Sequence, residues 1–262
     1  MHIVDLHVHA FPEKAAAGAL AHLEELTGYA PLFDGTLAGL HGSMDRTGVK
    51  RSVVQPVATR PESVAGINDW AARSQDGRVT CFGAMHPDVP DPGAEIARLA
   101  GLGLRGVKLH PEFQAFRPDE DRMAPIYEGL VRHGLVLFFH AGADIAIPSV
   151  SSSPEIFARV LDAFPRLRVV LAHMGGWQQW DEVFDVLAGR DVVLETSFTL
   201  SFLGPERFLE LVRAHGAERV AFGSDGPFGD AAAELQAMAA LALEEDERDA
   251  IMWRNAERLL AL

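Results

Sequence analysis

Short apolar runs recur along the chain, and six of them end on a histidine, a carboxylate or another group able to serve a metal. They are IVDLHVH (3–9), LRGVKLH (104–110), LVLFFH (135–140), RVVLAH (168–173), VVLETS (192–197) and RVAFGSD (219–225). A strand buried on both faces reads as such a continuous run. Two further runs, RSVVQPV (51–57) and VTCFGAMHP (79–87), bring the series to eight. Helical periodicity fills the gaps near 62–76, 92–102, 123–134, 154–165, 178–189 and 205–216. Pro125, Pro154 and Pro205 stand near helix starts, and Gly103, Gly134 and Gly216 follow helix ends, the expected asymmetry. Strand and helix alternating eight times predict an α/β fold: one (β/α)8 TIM barrel spanning 1–262, with an extra helical tail from 231. Its length is close to the ~250 residues usual for that barrel.

The first connection departs from this regularity. The stretch 36–48 supplies the first outer helix, which leaves 10–35 as an insertion after the first strand, with a helical segment at 13–26. Long loops in compact domains tend to be functional. We expect a lid over the mouth of the barrel; a surface excursion is the alternative.

Composition narrows the partners. The formal net charge of -14 disfavours nucleic acid and anionic membrane surfaces. The single cysteine, Cys81, excludes an internal disulfide framework. No apolar run approaches the ~20 residues of a membrane span, and the start enters a strand directly, without a signal-like segment. The expectation is a soluble cytoplasmic protein acting on a small molecule, with a homo-oligomer left open.

Polar residues at the C-terminal ends of parallel strands fall where such folds bind ligands. His7 and His9 stand two apart on the first strand, so they share a face, and two imidazoles there can share one metal. His140 ends the fifth run and is the natural third imidazole, although a lone histidine there is more often a hydrogen-bonded core residue. Asp225 ends the eighth run. A buried carboxylate is costly unless paired or metal-bound, and its plain alternative is a helix cap. His173 ends the sixth run and could bind a second metal or polarise a substrate oxygen. In the fourth run Lys108 and His110 share a face, and Glu112 follows. Arg60, Arg117, Phe113, Phe116, Trp177 and Trp180 follow strands and are expected near the mouth. The arginines would suit a carboxylate, with solvated surface groups as the alternative. Glu195 and Ser197 end the seventh run, within reach of the histidines or of nothing catalytic.

With these residues in place, the chain resembles the amidohydrolase superfamily over its whole length. It is most similar to the amidohydrolase-related branch, which also holds decarboxylases of the aminocarboxymuconate-semialdehyde type. The resemblance rests on His7-x-His9, His140, His173 and Asp225, and on the segments HMGG and GSDGPFGD. It implies that the residues of strands 1, 5 and 8 bind a divalent metal. It further implies that Asp225 handles protons and that His173 binds a second metal or acts catalytically. KLHP is similar to the strand-4 lysine segment of dihydroorotase-like members. Lys108 could therefore be a carboxylated bridge, a plain substrate-binding cation or a buried amine paired with an acid, and one-ion and two-ion sites both stay open.

The expected function is a metal-dependent hydrolase of a small amide, lactone or ester. Zn2+ is the first choice of ion, with Mn2+, Fe2+ and Ni2+ compatible. Asp225, His173 and Lys108 are its catalytic candidates, and His110, Arg60, Arg117 and Trp177 its substrate contacts. The alternative is a metal-dependent non-oxidative decarboxylase of a small carboxylic acid; a remote one is a non-catalytic metal-binding barrel.

Overall fold

The computed structural model describes residues 2–261. Its strands are β1 Val4–Val8, β2 Arg51–Val54, β3 Val79–Cys81, β4 Gly83–Ala84, β5 Gly106–Leu109, β6 Val136–Phe139, β7 Arg168–Leu171, β8 Val193–Glu195 and β9 Val220–Ala221. Every paired strand is parallel to its neighbour, in the orders β1-β2-β3 and β4-β5-β6-β7-β8-β9. The run expected as one strand at 79–87 is shared between the two groups. Its first half pairs with β2, its second half with β5, and Phe82 N between them donates to Val54 O at 2.9 Å. The far seam closes where Leu6 N donates to Phe222 O at 2.9 Å, Asp225 N to His7 O at 2.7 Å and His9 N to Gly226 O at 2.6 Å. The fold is a TIM barrel.

Alternation along the strands sorts the core. Val136 and Phe138 face the interior with Val4, Leu6, Val53, Phe82, Val170 and Ala221. Leu137, Phe139, Leu109 and Leu171 face the helices. The interior cluster continues into Ala256, Leu259 and Leu260 of the helix Asn255–Leu260. That helix is tied to the strand starts, for Asn255 Nδ2 donates to Val220 O at 2.7 Å. The expected extra helix therefore plugs the end of the barrel away from the histidines.

The insertion forms a helix, Glu13–Thr27, ended by Gly28 in a left-handed conformation (φ 75°). It buries only Ala16 and Leu20. Both flanks are pinned, since Phe11 N donates to Gly35 O at 2.8 Å and Leu32 N to Pro227 O at 2.7 Å. The ring of Tyr29 meets Phe198 edge-on at 5.5 Å. The insertion lies over the mouth, as expected.

Candidate metal centre and active site

His7 reaches the interior through a break in alternation. Leu6 belongs to the interior cluster, yet His7 also lies on Phe138, with ring centroids 4.8 Å apart. The pairing of β1 with β2 shifts register between Asp5 and Val8. Such irregularities re-aim side chains beside active sites. Beyond it, His7 and His9 turn inward together. Asp225 and His173 both have positive φ, 59° and 55°, a conformation rare for non-glycine residues and often concentrated at functional sites. Gly223 leaves necessary room, because a Cβ there would stand 2.1 Å from Glu195 Oε1 and 2.9 Å from His7 Cβ.

Four imidazoles are each fixed by one ring nitrogen. His7 Nδ1 donates to Glu195 Oε2 at 2.9 Å, and His9 Nδ1 to the backbone oxygen of Gln55 at 2.8 Å. His140 Nε2 donates to Ala143 O at 3.0 Å, and His173 Nδ1 to Ser197 O at 3.1 Å. Their remaining nitrogens then carry lone pairs that face other acceptors. His9 Nε2 lies 2.9 Å from Asp225 Oδ1, and His7 Nε2 lies 3.3 Å from the same oxygen. His173 Nε2 lies 3.2 Å from His140 Nδ1. Lone pairs this close repel unless a positive charge lies between them. This donor set fits a divalent cation, and the oxygens behind the rings are the partners that orient metal-bound imidazoles. His7, His9 and Asp225 form one compact ligand group; His110, His140 and Asp144 form another.

The electrostatics agree with that reading. Burial holds His7, His110 and His140 well below the usual imidazole value and brings His173 down to about 4, so these rings stay neutral. Burial works against the Asp225 anion; positive charge placed among His7, His9 and His173 outweighs it and holds its pKa well below the usual carboxylate range, and with the rings neutral a bound cation would supply that charge. Lys108 is fully buried, with Nζ 3.4 Å from His7 Nε2 and 4.5 Å from the centre of the Phe138 ring. Burial lowers its pKa to about 8, against the pull of Asp225, Glu195 and Glu112.

A cavity of about 430 Å³ opens on this cluster. Its floor carries His9, His110, His140, His173 and Asp225, and its walls include Phe113, Trp177, Phe198 and Phe228, with His22, Leu23 and Tyr29 contributed by the insertion. The Trp177 indole nitrogen is buried and has no partner among the described residues, so the ring meets the cavity through its carbon atoms. Phe116 is a core residue instead. Trp180 donates from Nε1 to His173 O at 3.0 Å and so fixes the strained backbone of that histidine.

Arg60 and Arg117 do not line the cavity, contrary to expectation. Their side chains are 74% and 56% exposed and pair with Glu62 and Asp119, since solvation of a guanidinium outweighs what an apolar wall offers. Asp144, absent from the sequence reading, does line the cavity. Its only sequence signal is a carboxylate four residues after His140.

The family model described as Amidohydrolase matches residues 4–262. The chain belongs to the amidohydrolase family. No curated protein sequence matches it. Among solved structures it is similar to the 5-carboxyvanillate decarboxylase LigW of Sphingomonas paucimobilis, at 19% identity and a TM-score of 0.76, covering 100% of this chain and 99% of that one. It is also similar to 2,6-dihydroxybenzoate decarboxylase from Rhizobium, at 17% identity, TM-score 0.72 and coverage of 100% and 99%. A 5-carboxyvanillate decarboxylase of Novosphingobium aromaticivorans, solved with manganese and a nitrobenzoic acid, aligns at 17% identity, TM-score 0.75 and coverage of 100% and 97%. At these identities the likeness is one of fold.

Proposed function

We propose that this protein is a metal-dependent, non-oxidative decarboxylase of a small unsaturated or aromatic carboxylic acid. The observation that carries the reading is the cavity: aromatic and aliphatic walls, no arginine or lysine among its lining residues, and a cluster of imidazoles and one carboxylate at its floor. With no guanidinium in the wall, a substrate carboxylate has its counter-charge only at the floor. An apolar enclosure favours loss of neutral CO2 from a desolvated anion. The three similar enzymes are decarboxylases by name, which supports this reading over the hydrolase named first from the sequence. A non-catalytic barrel would have no use for a cavity opening on its metal ligands.

His7, His9, His140 and Asp225 would hold the ion, with His173 facing it or a second one. Manganese and zinc both accept such a mixed set. Bound there, the ion supplies positive charge that orients a carboxylate and stabilises electron density developing beside it. Glu195, Gln55, Ala143 and Ser197 hold the rings so that their free nitrogens point inward. In the reaction the bond between ring carbon and carboxylate breaks, its electron pair stays on the carbon, CO2 leaves, and that carbon takes a proton. Asp225 is the group we assign to relay it: its ionised carboxylate would take up a solvent proton and pass it to that carbon, from the side where the imidazoles already meet. Lys108 offsets negative charge beneath the floor, and the Trp177 ring forms part of the wall against the substrate. The apolar walls and the lid helix exclude water.

The test is product analysis on protein reconstituted with Mn2+ or Zn2+ and offered hydroxybenzoates, lactones and amides. The proposal expects CO2 and the matching decarboxylated product. Hydrolysis of a lactone or amide with no CO2 from any acid would replace it with the hydrolase reading.

A further inference from the structure

Asp144 and His110 form a second polar feature of the cavity, directly beside the ligand cluster. Asp144 Oδ1 is spent on the backbone: it accepts from Ala146 N at 2.7 Å and Ile147 N at 3.1 Å. Its other oxygen has no donor within hydrogen-bond distance among the described residues. Oδ2 lies 3.6 Å from His110 Nε2 and 3.8 Å from His140 Nε2, and the proton on the latter already goes to Ala143 O. His110 Nδ1 accepts from Phe113 N at 3.4 Å, so His110 carries its proton on Nε2, the nitrogen turned toward Asp144. The His110 ring is held flat against His140, with centroids 4.2 Å apart and planes 8° apart, and Phe113 meets it edge-on at 4.4 Å. Glu112 staples the two parts together, accepting from Ser151 N at 3.0 Å and Ser152 Oγ at 2.7 Å. This ties the loop bearing Asp144 to the strand end bearing His110.

The result is a fixed donor and a fixed acceptor side by side in an otherwise apolar wall. The Asp144 and His110 side chains are 8% and 9% exposed, and the surface Asp144 keeps lies in the cavity wall, where a bound group can reach its free oxygen. One group satisfies both at once: a hydroxyl, whose oxygen accepts from His110 Nε2–H while its proton goes to Asp144 Oδ2. We infer that Asp144 and His110 are the specificity-determining pair that selects a substrate bearing a hydroxyl group away from its carboxylate. The inference rests on the decarboxylase reading for the carboxylate end and adds the second functional group. A bare cation fits the pair less well, because the facing nitrogens of His110 and His140 both carry protons.

The experiment is calorimetric binding to the metal-loaded protein, wild type and Asp144→Asn. Asparagine keeps the oxygen that caps Ala146 and Ile147 and places an amide donor where the free acceptor stood. The probes are benzoate with 3- and 4-hydroxybenzoate, whose hydroxyl cannot reach the ion that holds the carboxylate. Acetophenone with its 3- and 4-hydroxy derivatives repeats the comparison without a carboxylate. In the wild type, one hydroxylated isomer of each set should bind about tenfold or more tightly than its parent, the scale of a hydrogen bond to a charged acceptor. In Asp144→Asn that preference should fall to about twofold or less, with the parent compounds bound as before. An equal preference in both proteins, no preference in the wild type, or loss of a bound metal ion on substitution would overturn the inference. Failure of the decarboxylase reading would show separately, as acids that bind but release no CO2, while the neutral ketones still test the pair.

Discussion

The substitution Glu195→Gln tests whether the rings are set up for a metal. Glu195 is fully buried; Oε2 accepts from His7 Nδ1 and Ser197 Oγ, each at 2.9 Å, and Oε1 accepts from Ser197 N at 2.6 Å. Glutamine fits the same volume but brings one acceptor and one donor. If its oxygen stays with His7, its NH2 points at the backbone N–H of Ser197. If its oxygen stays with Ser197, its NH2 points at His7 and forces that ring to carry its proton on Nε2, against the ion. The first arrangement leaves one buried donor facing another, at about 1–3 kcal/mol, and the second takes from the ion the lone pair of His7 Nε2. Loss of a ring-orienting partner typically costs about 10–100-fold in metal affinity, or about 1.4–2.7 kcal/mol, in line with that figure. The metal-free fold should not suffer comparably, because burial already disfavours the Glu195 carboxylate and pushes its pKa up to about 7. The assay is competition for Mn2+ or Zn2+ against a chromophoric chelator, with thermal melting of the metal-free protein as control. A variant with wild-type metal affinity would refute the orienting role of Glu195, and with it the assignment of His7 Nε2 as a ligand.

Three further outcomes follow from the same geometry. Asp225→Asn should retain metal while turnover falls about a hundredfold or more, the scale of a lost proton-transfer group; unchanged turnover would move that role to His173 or Lys108. Glu112 is pushed by burial from 4.5 to about 7, so the folded state binds its proton more tightly than the unfolded state does. Its contribution is therefore intact below pH 4.5 and declines as pH rises through 7, by about 3 kcal/mol. Glu112→Gln should accordingly flatten the fall in metal-free stability between pH 5 and 8, measured by urea unfolding, and an unchanged slope would contradict this. Leu20→Asp, on the buried side of the lid helix, should raise KM severalfold while shifting the melting temperature little; an unchanged KM would mean the helix does not gate the cavity.

The barrel was legible because its signals are periodic and repeated. Eight doubly buried runs alternating with helices are what a closed (β/α)8 barrel requires, and the histidines at their ends share one rim by topology alone. What stayed hidden depends on local backbone detail. The split of Val79–Ala84 between two neighbours leaves no mark in composition. The register shift in β1 puts Leu6 and His7 in the same interior, although strict alternation would separate them. Asp144 looks like any loop aspartate, because the distances that matter run to His110 and His140 across a fold-dependent gap. Arg60 and Arg117 misled for the opposite reason: position after a strand says which rim a residue is near, not whether its charge turns inward.

The stitch between the ends of β1 and β9 gives the proposed ion a mechanical part. His7 and His9 belong to the first strand and Asp225 follows the last, so an ion shared by them clasps the ring at the place where the chain must close it. Separating the two ends would break their backbone bonds and pull the ligands apart in one motion. The ion would then bind the closed ring and have little hold on the open one, adding closure energy that grows with its concentration, about 4 kcal/mol at a thousand times its dissociation constant. Ring opening and ion loss become a single event. Chelation should accordingly expose this seam to amide exchange before the β5–β6–β7 side of the barrel loosens.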